Sequence, residues 1–281
     1  MQNLTMSWQT AGAVAAVALA SGAAVRRTGR ESAGLVLREI GTVLALFSVW
    51  QFAGTLSVMG SEDATGRAQW VWDTERSLGL PSERTLQHWV LPHPWLVQGA
   101  NYYYATMHFG AVIALLVWLF LRHRQYYPWA RMTLVLVTAS SLAVQLVPVA
   151  PPRLLPAAGM ADTAVQYGQS VYGTTIGGVQ ADAYSAMPSV HVAWCVLVAV
   201  AVVRAGRSRW RWLAVLHPVL TVLVVVVTAN HFWLDGVAAL VLLGASYAVQ
   251  AGASRIRARV RAPQPREELP EQSPAEVGAE R

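Results

Sequence analysis

Seven long apolar runs divide this chain, at 8–25, 39–59, 101–121, 132–149, 188–204, 211–229 and 231–250. Each approaches the ~20 residues that a helix needs to cross the hydrocarbon core of a bilayer. The last two runs nearly touch, so the junction at Thr228–His231 must be a tight break. Segment 60–100 is not a span. It mixes Trp70, Trp72, Trp89 and Trp95 with charges and prolines, which suits helices lying in the headgroup layer. It reads as a surface loop with anchoring tryptophans, or alternatively as a lid or substrate gate. The tail 262–281, rich in Pro, Glu and Gln, reads as disordered. The expected fold is therefore all-α: a polytopic membrane helical bundle of about 6–7 transmembrane helices plus interfacial helices. Three regions follow: N-terminal spans and interfacial segment over 1–99, a helical core over 100–252, and a basic, then disordered, tail over 253–281.

Composition supports this reading and charge orients it. Of 281 residues, 54% are hydrophobic and only 13% charged, too apolar for an ordinary soluble domain. All 21 basic residues are arginine. The net charge of +6 does not require nucleic acid as a partner, because the arginines cluster beside apolar runs and in the tail. Segments 26–38, 122–131 and 204–211 hold four, three and four of them, and six more follow Ser254. Segments 60–100 and 150–187 are acidic or nearly neutral. By the positive-inside rule the arginine-rich loops and the C-terminus face the cytoplasm and the N-terminus faces out. Run 8–25 has no basic residue before it and is followed by Arg26 and Arg27, so it reads as a retained span rather than a signal peptide. The single cysteine, Cys195, excludes an intrachain disulfide framework and is expected to pack. Asn3-Leu-Thr5 has the spacing of a glycosylation sequon. The expected location is a cell membrane, crossed several times.

Two motifs at the mouths of apolar runs carry the candidate chemistry: Met-Pro-Ser-Val-His at 187–191 and Asn-His-Phe-Trp-Leu-Asp at 230–235. Their histidines are 40 residues apart, about one helical hairpin through the membrane, so both return to one face, the extracytoplasmic one. Ionisable groups at such positions are costly and point to function. His231 and Asp235, four apart, can share a helix face, where the carboxylate orients the imidazole and leaves its other nitrogen as nucleophile or base. The same spacing also serves as intramembrane packing glue. His191 follows Pro188 and Ser189, so a helix should begin there and present unpaired N–H groups to an anion, with Ser189 adding a hydroxyl. From one turn in, His191 could deliver a proton to an oxygen leaving a phosphate.

Arg153, in Val-Ala-Pro-Pro-Arg-Leu-Leu-Pro at 149–156, follows the fourth run on the same side. Its guanidinium suits phosphate through paired donors, although an interfacial arginine can also snorkel to headgroups. Tyr104 and His108 open the third run, again four apart, and could add donors to the same pocket or serve as packing glue. His217 lies 14 residues before His231 and, like His88, His93 and His123, stays outside the candidate site. Arg38 and Glu39 read as a local ion pair.

A proline-rich arginine motif, then Pro-Ser-x-His, then His-x-x-x-Asp, ordered along membrane spans over roughly 100–250, resembles the type 2 phosphatidic acid phosphatase superfamily. The resemblance implies a helical bundle with a metal-free site. It implies that His231 attacks phosphorus, Asp235 orients it and His191 protonates the leaving group. Phosphatase members of that superfamily usually carry a lysine before the arginine motif, whereas this chain has none. They also carry an arginine where Val225 stands, and commonly a glycine where Val190 stands. These departures resemble the inositolphosphotransferase branch, which includes inositol phosphorylceramide synthase. The expected activity is thus a metal-independent phosphotransferase or phosphatase on lipid phosphates. It would use a phosphohistidine and no cofactor, there being no glycine-rich nucleotide loop of the usual form. Phospholipid headgroup transfer is favoured, and lipid phosphate or polyprenyl pyrophosphate hydrolysis is the alternative. Two readings of other classes use the same residues. One is a zinc-dependent intramembrane hydrolase ligated by His108, His191, His231 and Asp235; the other is a haem carrier with paired axial histidines.

Overall fold

The structure is a computed structural model that describes residues 7–57, 63–169 and 183–261. The Asn3-Leu-Thr5 sequon and the 262–281 tail lie outside the described residues. The described chain is helical, with α1 (Trp8–Arg27), α2 (Glu31–Ser57), α3 (Ala64–Ser77), α4 (Glu83–Val90), α5 (Pro94–Arg122), α6 (Tyr127–Gln145), α7 (Thr163–Gln166), α8 (Val190–Ala205), α9 (Leu216–Val227) and α10 (Trp233–Arg261). Short 3-10 stretches cover Pro152–Leu154, Pro156–Ala158 and Arg209–Val215. Among the described residues there is no strand, only an isolated parallel bridge between Val149 and Ser185.

Among the described residues, five stretches are long and apolar enough to cross a membrane: Trp8–Arg27, Glu31–Val49, Pro94–Arg122, Arg209–Val227 and Trp233–Ala258. The chain is a multi-pass membrane protein. With 16 residues, α8 is about 24 Å long, shorter than the ~30 Å hydrocarbon layer. Helix α5 starts seven residues before the apolar run at 101, because Pro94 presets its first turn. Its polar start is also paired: Asn101 donates to the Thr163 carbonyl (3.2 Å) and accepts from the Thr163 hydroxyl (2.9 Å).

Helices α5, α6, α8, α9 and α10 bury one another through Val137, Val192, Leu197, Val225, Ala239 and Leu243, and, nearer the arginine-rich end, through Leu115, Leu119, Ala130 and Val198. Cys195 packs inside α8, 1% exposed. A further apolar cluster joins Ala64, Ala68 and Val71 of α3 to Val149, Ala150, Leu155, Ala229 and Phe232. The interfacial segment therefore does more than float. Trp70, Trp89 and Trp95 are 66%, 69% and 71% exposed, as membrane-anchoring tryptophans should be. The opposite faces of α3 and α4 bury Glu75, Glu83 and Gln87 completely. Glu75 and Gln87 reach backbone groups left open where core helices break, a long-range need that local patterning does not display, and Glu83 pairs with Arg76.

Candidate active site

The site is built on the break between α9 and α10. Helix α9 closes with Ala229 in the left-handed region (φ 54°): Ala229 N–H donates to Val226 O (2.9 Å) and Asn230 N–H to Val225 O (3.0 Å). This double bond pattern normally recruits glycine. It turns the chain within four residues, so His231 emerges just before α10, whose first helical residue is Trp233. His231 and Asp235 thus meet across a helix start rather than along one helical face. Asp235 Oδ2 accepts from Phe232 N–H (2.8 Å), capping α10, and faces His231 Nδ1 at 3.3 Å. Asp235 and His231 are buried in the bundle, and His191 is half-buried beside them.

The tautomer of His231 follows from its partners. Nδ1 lies 2.7 Å from the Ala186 carbonyl, which can only accept, so Nδ1 carries the proton and Nε2 keeps its lone pair. Ala186 is itself pinned, its N–H donating to Val149 O (3.1 Å) while Val149 N–H donates to Tyr184 O (2.9 Å). His231 Nε2 points at His191 Nδ1, 3.2 Å away.

His191 stands in the first turn of α8. Ser189 caps that helix, its hydroxyl accepting from Val192 N–H at 3.4 Å, and its own N–H donates to Asp235 O at 3.1 Å, tying the starts of α8 and α10 together. Tyr104 stacks on the His191 ring (4.5 Å between centroids) and His108 meets it edge-on (4.2 Å). Both therefore pack against His191, and the three line a small cavity together with Tyr103 and Thr221. His217 bonds the Tyr103 hydroxyl at 2.7 Å.

Arg153 enters from the 3-10 turn after α6. Its N–H donates to Ala229 O (3.0 Å), its guanidinium donates to Asn230 Oδ1, and its Nε lies 3.3 Å from Asp162 Oδ2. The arginine is thus held against the same 229–231 turn that presents His231. Sequence reasoning missed Asn230, Asp162 and the Ala186 carbonyl. Asn230 is adjacent to the histidine and Asp162 is an acidic residue near Arg153, so both could have been weighed; a backbone carbonyl leaves no sequence signal. Among the described residues, no group of three or more His, Cys, Asp and Glu side chains is disposed to hold a metal, the His108–His191–His231–Asp235 set included. His231 Nδ1 and Asp235 Oδ2 are already engaged with protein groups.

Chemically the arrangement offers an imidazole lone pair fixed from behind, a second imidazole facing it, and a guanidinium and a helix start nearby. That set can attack phosphorus and manage a proton on the far side. A family model for the PAP2 superfamily matches residues 69–249, from within α3 to within α10. No curated protein matches the chain, and no solved structure does.

Proposed function

The chain belongs to the PAP2 superfamily of type 2 phosphatidic acid phosphatases, and on that footing we propose that it is a phospholipid headgroup transferase, of the inositolphosphate-transferring kind, that works through a phosphohistidine. The proposed step begins with His231 Nε2 attacking phosphorus. A P–N bond forms, the P–O bond to the leaving alcohol breaks, and His191 gives that oxygen its proton. An acceptor alcohol then loses its proton to His191 and attacks phosphorus, and the P–N bond breaks. Asp235 and the Ala186 carbonyl hold the Nδ1 proton throughout and stabilise the cationic ring as it forms. Arg153, the Ser189 hydroxyl and the first N–H groups of α8 take the phosphate oxygens. Tyr104 and His108 hold the His191 ring. In-line attack and proton delivery each need a contact of about 3 Å. The incoming phosphate must therefore part the two rings or turn His191.

The observation that carries this reading is the 3.2 Å approach of His191 Nδ1 to a His231 Nε2 whose opposite nitrogen is locked by Ala186 and Asp235. Charge favours the transferase over the phosphatase. Asp162 partners Arg153, and Val225 stands where phosphatases of the superfamily have a second arginine. So few uncompensated cations suit a phosphodiester, with about one negative charge, better than a monoester approaching two. By the arginine distribution the site faces the extracytoplasmic side, and the lipid tail enters from the bilayer.

Membranes carrying the protein, incubated with headgroup-labelled phospholipid and candidate alcohols, should yield transferred headgroup product. His231→Ala should abolish both product and trapped phosphoenzyme. Full turnover by that variant would overturn the mechanism; free phosphate whatever alcohol is supplied would overturn the transferase assignment and leave a phosphatase.

A further inference from the structure

Two carboxyl groups are buried side by side beneath the start of α10, outside the motifs that define the family resemblance. Glu75 of α3 and Glu83 of α4 are both 0% exposed. Glu75 Oε1 accepts from Leu234 N–H at 2.7 Å, in the first turn of α10 and one residue before Asp235. Arg76 reaches Glu83 Oε2 at 2.8 Å and Glu75 Oε2 at 3.8 Å, while its guanidinium lies over the Trp72 ring. Trp233 adds a bond from its indole N–H to Pro81 O, between the two helices (2.8 Å). One cation serves two carboxyls. Glu75 Oε2 and Glu83 Oε1 are left without a donor among the described residues. Such orphaned acceptors are costly when buried. One proton shared between the two groups would satisfy both.

We propose that Glu75 is a positioning residue of the catalytic turn: a protonated carboxyl that takes Leu234 N–H with one oxygen and donates to Glu83 with the other. So held, it fixes the first turn of α10 and keeps Asp235 on His231. Leu234 is an open N-terminal amide of α10, as Phe232 is for Asp235, so the two carboxyls cap the same helix start. Burial, the neighbouring Glu83 and the charge of Asp235 push the Glu75 carboxyl up to about 9, against the bond from Leu234 that lowers it. Glu75 therefore stays neutral through the physiological range. Ionising it would add a negative charge beside Glu83 and near Asp235, with Arg76 the one arginine paired to the two glutamates among the described residues.

This inference rests on the phosphohistidine reading, and the experiment separates the two. Headgroup transfer by the full-length protein in membranes is measured from pH 6 to pH 10 for wild type, Glu75→Gln, Glu75→Ala and His231→Ala. Glutamine reproduces the neutral acid, its carbonyl accepting from Leu234 and its amide donating to Glu83. Glu75→Gln should retain kcat near neutrality, and it should lack the alkaline fall near pH 9 that is expected of wild type. In Glu75→Ala, kcat should fall on the order of 100-fold, the scale of a small misplacement of reacting groups, with KM little changed because no phosphate contact is touched.

A stability readout is independent of turnover. Folding raises this carboxyl from its ordinary 4.5 to about 9. Its contribution to stability is therefore complete below pH 4.5 and is lost as pH climbs to about 9. The melting temperature of wild type should drop across that window more steeply than that of Glu75→Gln. Superimposable pH profiles for wild type and Glu75→Gln, or wild-type kcat in Glu75→Ala, would overturn the inference. Where Glu75→Ala does not fold, the glutamine comparison still decides. Activity surviving in His231→Ala would sink the parent mechanism instead.

Discussion

The α1–α2 hairpin and the helical core solve the same problem, assembly inside a bilayer, by opposite means. The hairpin packs through small residues. A Cβ added to Gly22 would lie 3.0 Å from the Gly34 carbonyl oxygen and 3.1 Å from Arg38 N, and one on Gly41 would lie 3.0 Å from the Ala15 carbonyl oxygen. Close backbone approach of this kind replaces the hydrophobic drive that lipid tails remove. The core instead uses long-range polar bonds around interrupted helices. Gln87 donates to Ala161 O (2.9 Å) and Val227 O (3.1 Å) and accepts from Ala161 N–H (2.8 Å). Glu75 holds Leu234, and Arg153 holds Ala229 and Asn230. A polar tie joins the two regions: Tyr127 and Arg131 of α6 donate to Glu39 Oε2 on α2. Broken helices create open N–H and C=O groups that hydrocarbon cannot satisfy, so they are tolerated only where protein supplies partners. A continuous hairpin needs no such partners. The region that binds polar partners is the region that can do chemistry.

Breaking the core should cost most. Beyond the loss expected for His231→Ala, Asp235→Asn should lower kcat by on the order of 100- to 10,000-fold, since in the proposed mechanism it removes the charge that stabilises the cationic ring. The fold should survive, because the amide oxygen can still accept from Phe232. Single-turnover phosphoenzyme formation checks this, and a normal rate would show that the carboxylate only caps the helix. Gln87→Leu keeps the bulk but strands two carbonyls and an N–H. Each orphaned group costs about 1–3 kcal/mol, so the melting temperature and kcat should fall together. Loss of stability alone would mean that α4 braces the fold without setting the turn.

The same contrast explains what could be read from the chain. The spans were legible because burial in lipid writes long apolar runs, and the Thr228–His231 break because two runs met with no room for a loop. His191, His231, Asp235 and Arg153 stood out as isolated polar groups against that background, and the structure gathers them around one turn. Tyr104 and His108 were legible as a pair, with packing one of their two readings, but the His191 ring they pack against was not. Glu75, Glu83 and Gln87 stayed hidden because segment 60–100 mixes charges and tryptophans along its length, so the polar residues that turn inward look like their exposed neighbours. Nothing periodic marks a glutamate that will meet an amide 159 positions later.

Smaller effects sharpen the comparison at single Cβ atoms. Gly22→Leu should part α1 from α2 and cost about 1–3 kcal/mol, as overpacking does, while leaving kcat intact because the hairpin carries no catalytic group. A large loss of turnover would mean that the Glu39 tie transmits hairpin geometry to α6.

Ala229→Gly should be smaller still, and its sign is close to balanced. Glycine relieves the ~1–2 kcal/mol that an L-residue spends in the left-handed region. Against that, it adds roughly 0.5–1 kcal/mol of backbone entropy to be lost on folding and gives up a fully buried methyl at about 0.8 kcal/mol. Ala229 is 0% exposed and packs in the apolar cluster with Phe232 and Leu155, so that last term applies in full. The melting temperature should barely move and kcat should fall only modestly. Ala229→Val, β-branched at the same φ, should open the turn and silence the enzyme. Were glycine as damaging as valine, the methyl's packing rather than the left-handed bend would be what aims His231 at His191. The core would then depend on a side chain where the hairpin depends on the lack of one.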